Sequence, residues 1–284
     1  MTDDGARLGT PRAADAGSAG QQPVPDWREL LGLRRFGAAK SAYLAATLAA
    51  GGRVDDGVAD DDVRSALTAL ADVEDLLRDR RYARAIARLG RLEHKPPLAP
   101  WHDLQSDLEA LAAAGKALDR REPEEVLTGL SGLGGSWFGA EVSMLLGTAH
   151  VYLGDEEAAR PHFEGALAVD PKHYRALTNL GNLALERGEV DAAIELYEQA
   201  LAVNEEFPNA HHNLGVAYRR KGQVGKSVKH LRRAQRLAQR QDAAEARESL
   251  SRVSGKRFGG AVKWLLWAAI GAAVWWVLRS QGAF

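Results

Sequence analysis

Gly147, Gly181 and Gly215 recur every 34 residues, each inside the same short frame: MLLGTAHVYLGDEEAA, TNLGNLALERGEVDAA and HNLGVAYRRKGQVGKS. Leu146, Leu180 and Leu214 precede these glycines, and a second glycine follows seven residues later at Gly154, Gly188 and Gly222. An internal period of that size calls for a stack of helix pairs, because one pair alone leaves its apolar face uncovered.

The rest of each frame carries the sterics of close helix packing. Ala159 and Ala193, with Ser227 in the third unit, hold the small position where two helices touch. Phe163, Tyr197 and Leu231 fill the large position one turn later, and Ala166, Ala200 and Ala234 the next small one. Small residues let helix axes approach, and the large one fills the remaining space. The glycine after the first helix permits a left-handed turn into the second. On these residues the segment from Glu141 to Leu237 resembles the tetratricopeptide repeat, a 34-residue antiparallel helix pair. Pro171 ends the first unit as that family expects, whereas Glu205 stands there in the second. The resemblance implies an all-α solenoid of helical hairpins wound into a right-handed superhelix.

Composition excludes some chemistry. The chain of 284 residues has no cysteine, so disulfides, thiolate metal sites and cysteine nucleophiles are ruled out. The formal net charge is only −1, but it is unevenly spread. Asp55, Asp56, Asp60, Asp61 and Asp62 cluster early, and from Arg219 to Arg257 thirteen Lys or Arg residues face only Asp242, Glu245 and Glu248.

Residues 1–25, rich in Gly, Ala, Asp and Pro, have too few large apolar groups to offset chain entropy and read as a disordered tail without the pattern of a secretory signal. Residues 26–135 read as degenerate hairpins of the same kind. Trp27 to Thr47 reads as one helix, in which Ala39, Tyr43 and Ala46 imitate the small-large-small pattern. Gly51, Gly52 and the Asp-rich run form a loop, and Val63 to Leu92 a helix pair in which Tyr82, Ala85, Ile86 and Leu89 repeat that pattern. Pro96, Pro97 and Pro100 interrupt, Trp101 to Leu118 and Glu122 to Leu130 supply another pair, and the glycine-rich SGLGGSWFG closes it. The three clear repeats occupy 141–237, and 238–257 continues as a basic capping helix.

Ala261 to Leu278, AVKWLLWAAIGAAVWWVL, is the least polar stretch of the chain. From Lys263 to Arg279 a helix would run roughly 24 Å, somewhat short of a bilayer core of about 30 Å, but both charges can snorkel outward. Trp264 at one end and Trp275 and Trp276 at the other suit the two interfaces, although Trp267 sits deeper. Residues 261–278 are therefore expected to form a C-terminal transmembrane helix. Arg252, Lys256, Arg257 and Lys263 precede the span and only Arg279 follows it, which keeps the repeats on the cytoplasmic side of a single-pass, tail-anchored protein. The alternative is a soluble solenoid whose apolar tail docks on itself or drives homo-oligomers. Lys226, Lys229, Arg232, Arg233 and Arg236 suit either anionic headgroups or solvent. Nucleic acid is not expected, because that run lacks aromatics for bases to stack on.

Two motifs are decoys. GQVGKS at Gly222 to Ser227 imitates a phosphate loop, but Arg220 stands where the first glycine is required and a repeat helix, not a strand, precedes it. SGLGGSWFG lacks the strand that a dinucleotide loop needs. None of the eight histidines forms a zinc pair with a helical glutamate, and no serine sits in a nucleophile elbow. The reading is a non-enzymatic scaffold without a cofactor, or an accessory subunit of a membrane complex.

The resemblance places the first helices of the repeats along a concave groove. It implies groove positions at Glu141, Met144, Leu145, Thr148 and Tyr152; at Arg175, Thr178, Asn179, Asn182 and Glu186; and at Asn209, His212, Asn213, Val216 and Arg220. Asn179 and Asn213 stand at the same groove position, which implies a short asparagine ladder for the backbone of an extended peptide; an amide both donates and accepts without charge. Met144 and Asn213 replace the basic groups of a carboxylate clamp, so that mode is disfavoured.

Overall fold

The computed structural model describes residues 26–49 and 60–257, and these contain twelve helices. In chain order they are α1 Trp27–Gly32, α2 Phe36–Ala49, α3 Asp60–Arg78, α4 Tyr82–Gly90, α5 Trp101–Arg120, α6 Pro123–Leu130, α7 Gly139–Tyr152, α8 Glu156–Val169, α9 Tyr174–Glu186, α10 Val190–Val203, α11 Pro208–Arg220 and α12 Val224–Arg257. They pair in sequence into six hairpins, with no strand among the described residues.

All six hairpins turn in the same way. The residue after the first helix takes a left-handed backbone at Gly154, Gly188 and Gly222, with φ of 77–79°. In the first half the same position is filled by arginine: Arg34, Arg80 and Arg121, with φ of 58–61°. Around each, the next N–H reaches back five residues, as in Asp155 N–H to the His150 carbonyl at 2.9 Å and Arg35 N–H to the Leu30 carbonyl at 2.9 Å. Those bonds satisfy carbonyls that the helix end would orphan. The degenerate first half is thus built of the same unit as the repeats, with a costlier residue at the turn.

The contact inside each repeat hairpin is equally regular. A Cβ on Gly147 would lie 2.6 Å from the Phe163 ring, one on Gly181 2.6 Å from the Tyr197 ring, and one on Gly215 2.8 Å from Leu231. Ala159, Ala166, Ala193 and Ala200 are fully buried on the second helices, as the packing argument requires. At a fourth such glycine, Gly115 of α5, a Cβ would lie 2.5 Å from the Tyr82 ring of the preceding hairpin.

The structure corrects three expectations. Trp27 to Thr47 is two helices, not one, because Arg34 reverses the chain and lets Trp27 pack edge-on against Tyr43, with ring centroids 5.3 Å apart. Ala46 is exposed and Thr47 takes the buried place, donating its hydroxyl to the Tyr43 carbonyl. Asp60, Asp61 and Asp62 belong not to a loop but to the first turn of α3, where carboxylates oppose the helix dipole favourably. The glycine-rich SGLGGSWFG is a linker as expected, and it is packed down. Trp137 and Phe138 lie on Phe36, and the Arg34 guanidinium binds the carbonyls of Gly135 and Ser136. One apolar core therefore runs unbroken from Trp27 to Ala149.

Two substitutions test these turns and contacts. Gly181→Ala gains helix propensity but drives a methyl into Tyr197, and is expected to cost about 1–3 kcal/mol in urea unfolding. Arg121→Gly relieves the left-handed strain and breaks no side-chain hydrogen bond or ion pair among the described residues, and is expected to stabilise by roughly 0.5–1 kcal/mol.

Candidate functional site

The first helices of the repeats, α7, α9 and α11, pack side by side, and α5 adjoins α7. The expected groove positions therefore lie on neighbouring helices, but they fall into a closed end and an open end.

At the closed end the chain covers its own groove. Glu141 at the start of α7 is 2% exposed and accepts the Tyr82 hydroxyl at 2.5 Å, Arg175 Nη1 at 3.2 Å and His173 Nε2 at 3.1 Å. His173 Nδ1 accepts the Ala176 N–H at 3.3 Å, capping α9, so its proton sits on Nε2 and points at Glu141. Burial would raise the Glu141 carboxyl, but Arg175, His173 and Tyr82 outweigh it and hold it below the usual carboxylate range. Arg175 is thus spent on an internal ion pair, with its side chain only 12% exposed. Thr178 is buried as well, its hydroxyl donated to the Tyr174 carbonyl at 2.8 Å. These two expected groove residues do not face a groove in this structure.

The cover comes from the α3–α4 turn. Tyr174 donates to the Arg78 carbonyl at 3.0 Å and to Asp79 Oδ1 at 2.7 Å, and Arg78 Nε bonds Asp170 Oδ2 at 2.5 Å. Arg78 also pairs with Glu74 at 3.1 Å, and Glu74 accepts the Gly37 N–H at 3.1 Å. Burial pushes the Glu74 carboxyl up to about 7, against the pull of Arg78 and with the push of Asp170. The cavity left among these groups is about 20 Å³, room for a water rather than a ligand.

At the open end, polar side chains meet across α9 and α11. Asn182 Oδ1 accepts both the Tyr197 hydroxyl at 2.8 Å and Asn213 Nδ2 at 2.7 Å. Tyr197, whose ring presses on Gly181, thereby also orients Asn182; Phe163 and Leu231 have no hydroxyl with which to do so. Asn179 lies beside Met144, its Nδ2 3.9 Å from the thioether sulfur, and Thr148 donates to the Met144 carbonyl at 2.8 Å. Arg220 Nη1 bonds the Leu185 carbonyl at 2.6 Å. Asn209 and His212 are exposed, as is Tyr152 at 52%. Asn182 and Asn213 are thus linked to each other, while Asn179, one repeat before Asn213, lies beside Met144.

Sequence reasoning named Glu141 and Arg175 as groove positions but missed their pairing. Opposite charges one repeat apart on adjacent helices are the signal that could have found it. The partners Tyr82, His173 and Tyr174 carried none. GQVGKS is the α11–α12 turn, with Ser227 buried and Lys226 over the Tyr218 ring. Among the described residues no cluster of three or more His, Asp or Glu could hold a metal. Lys263, Trp264, Trp275, Trp276 and Arg279, expected at membrane interfaces, lie outside the described residues, and among the described ones no helix is long and apolar enough to cross a membrane.

The raised Glu74 carboxyl sets the sign of a pH effect. Its folded value of about 7 exceeds the ordinary 4.5, so its contribution to stability is complete below about 4.5 and is lost as pH rises through about 7. Glu74→Gln is therefore expected to gain on wild type by roughly 1–3 kcal/mol between about pH 5 and pH 8, read as the difference in urea unfolding free energy.

Two overlapping segments, residues 144–211 and 178–241, match the tetratricopeptide-repeat family model, together about a third of the chain. Among solved structures, one crystal structure of MamA is similar at 23% identity, covering 57% of this chain and 91% of its own, with a TM-score of 0.41. Another, of the MamA protein, shows 22% identity over 63% of this chain and 94% of its own, with a TM-score of 0.40. No curated protein matches the sequence. Residues 144–241, which contain α8 to α11 and parts of α7 and α12, are thus similar to the tetratricopeptide-repeat family model.

Proposed function

We propose that this chain is a non-enzymatic scaffold that holds an extended segment of a partner protein against α9 and α11, and that residues 261–278 tether it to a membrane with the repeats on the cytoplasmic side. The observation that carries the groove reading is the Asn182–Asn213 link. Both lone pairs of Asn182 Oδ1 are taken, which leaves its two N–H groups as donors, while Asn213 gives up one N–H and keeps its carbonyl. One donor group beside one acceptor is the complement of a peptide unit. Asn209, His212 and Tyr152 offer exposed polar and aromatic surface for side chains around it. Arg175 and Thr178 drop out of the expected set, since Glu141 of α7 and the Tyr174 carbonyl use them.

The tether rests on sequence: an apolar run flanked by Lys263 and Arg279, with tryptophans near both ends. Release of the intact protein from membranes by alkaline carbonate would overturn it. For the groove, the detergent-solubilised full chain is used to capture and cross-link its partner. Asn182→Ala with Asn213→Ala is expected to reduce capture about tenfold or more, for the loss of hydrogen bonds worth about 1 kcal/mol each. Unchanged capture by a variant with the wild-type melting curve would sink the groove assignment.

A further inference from the structure

Helix α12 is the second helix of the last hairpin and then runs on past it, 34 residues in all. Its early part packs on α11 through Ser227, Ala234 and Leu237, which are buried. Gln239 to Ala244, with Ala246 and Arg247, are exposed. At about 100° per residue, Lys226, Lys229, Arg233, Arg236, Arg240 and Arg247 fall within roughly 80° of one another around the helix axis. Ser227 lies about 140° and Ala234 about 120° from the middle of that arc, Asp242 about 160°, and the buried Leu237 about 60°. The only other residue of the arc up to Arg247 is Ala244. From Glu206 to Asp242 the chain has no carboxylate between, and Lys229, Arg236 and Arg240 pair with none among the described residues. Lys226 sits over Tyr218, and Arg233 reaches Glu205 at 3.8 Å. The result is a straight row of cations roughly 31 Å long, of which Lys226 and Arg233 touch the stack while Lys229, Arg236, Arg240 and Arg247 are exposed.

We infer that this row is a docking surface for a sheet of anionic phospholipid headgroups, on which α12 lies flat. Three observations choose that partner. A flat array of charge suits a straight, one-sided row, and each cation near such a surface strengthens binding about fivefold. No aromatic or large apolar residue lies in the arc, so it has neither the stacking platforms of a nucleic-acid groove nor the buried anchors of a protein interface. In sequence the row is followed by Gly259 and Gly260 and then by the apolar run, and a glycine pair permits the change of direction that a flat helix and a crossing segment need. The inference rests on the proposed membrane placement but concerns a different contact.

The absence of cysteine makes the test direct. Ala244→Cys in the full chain carries an environment-sensitive dye near the C-terminal end of the row, between Arg240 and Arg247. The labelled protein is reconstituted with vesicles of phosphatidylcholine alone, or with about 30% phosphatidylserine, the fraction giving a surface potential of physiological sign. The expected result is a blue shift and quenching by headgroup nitroxides only with phosphatidylserine, lost at about 0.5 M salt. Lys229→Glu with Arg236→Glu and Arg240→Glu, all at exposed positions, should weaken that response about a hundredfold. The same emission in both lipids, a shift indifferent to the triple variant, or a response to duplex DNA or polyglutamate but not to vesicles would each overturn the inference. Retention on phosphatidylcholine vesicles at high salt reports the tether separately, whichever way the dye responds.

Discussion

A helix can fold back on itself within three residues only if one of them leaves the right-handed region, and every hairpin of this molecule depends on that residue. Gly154, Gly188 and Gly222 adopt the left-handed backbone without steric cost, whereas Arg34, Arg80 and Arg121 adopt it against their own Cβ. What holds the arginines there is partly side-chain work. Arg34 ties down the linker carbonyls of Gly135 and Ser136, and Arg80 reaches the Gly115 carbonyl at 3.0 Å and Asp119 at 2.6 Å. Once the chain has turned, the glycine on the first helix accepts the large residue of the second at under 3 Å from where a Cβ would stand, and the hairpin has one packing solution.

Stacked hairpins leave charged helix ends close together, and this chain uses them to lock its two halves. The α3–α4 turn binds the α8–α9 turn through Arg78, Asp79, Asp170 and Tyr174, more than 90 residues apart in sequence. Glu141 remains ionised though buried because three donors converge on it, while Glu74, with one shared arginine and one N–H, is lifted to about 7. Glu141 is the more deeply buried of the two, yet its larger number of partners gives the opposite outcome. In the proposed reading the lock also decides where a partner can sit, since it covers the Glu141–Arg175 end and leaves the Asn182–Asn213 end open.

Much of this was legible beforehand. The glycine period, the alanines and the aromatics of α7 to α12 declare a stack of hairpins, because sterics at a close contact admit few residue types. The turn at Arg34 was not legible, since nothing in arginine announces a left-handed backbone, and Trp27 to Thr47 reads as continuous helix until Trp27 is seen folded onto Tyr43. The pairing of Asn213 with Asn182 was not legible either, because it depends on the Tyr197 hydroxyl that orients the Asn182 amide.

By itself, then, the sequence determined the repeat unit, its period and the positions where helices touch, all of which follow from local sterics repeated along the chain. Only the tertiary structure decided which charges are consumed internally and which stretch of the groove stays open. Those outcomes turn on contacts such as Tyr82 with Glu141, 59 residues apart and out of register with the 34-residue period. A repeat pattern specifies neighbours one period away; it carries no information about where a costlier, irregular first half will fold back and dock.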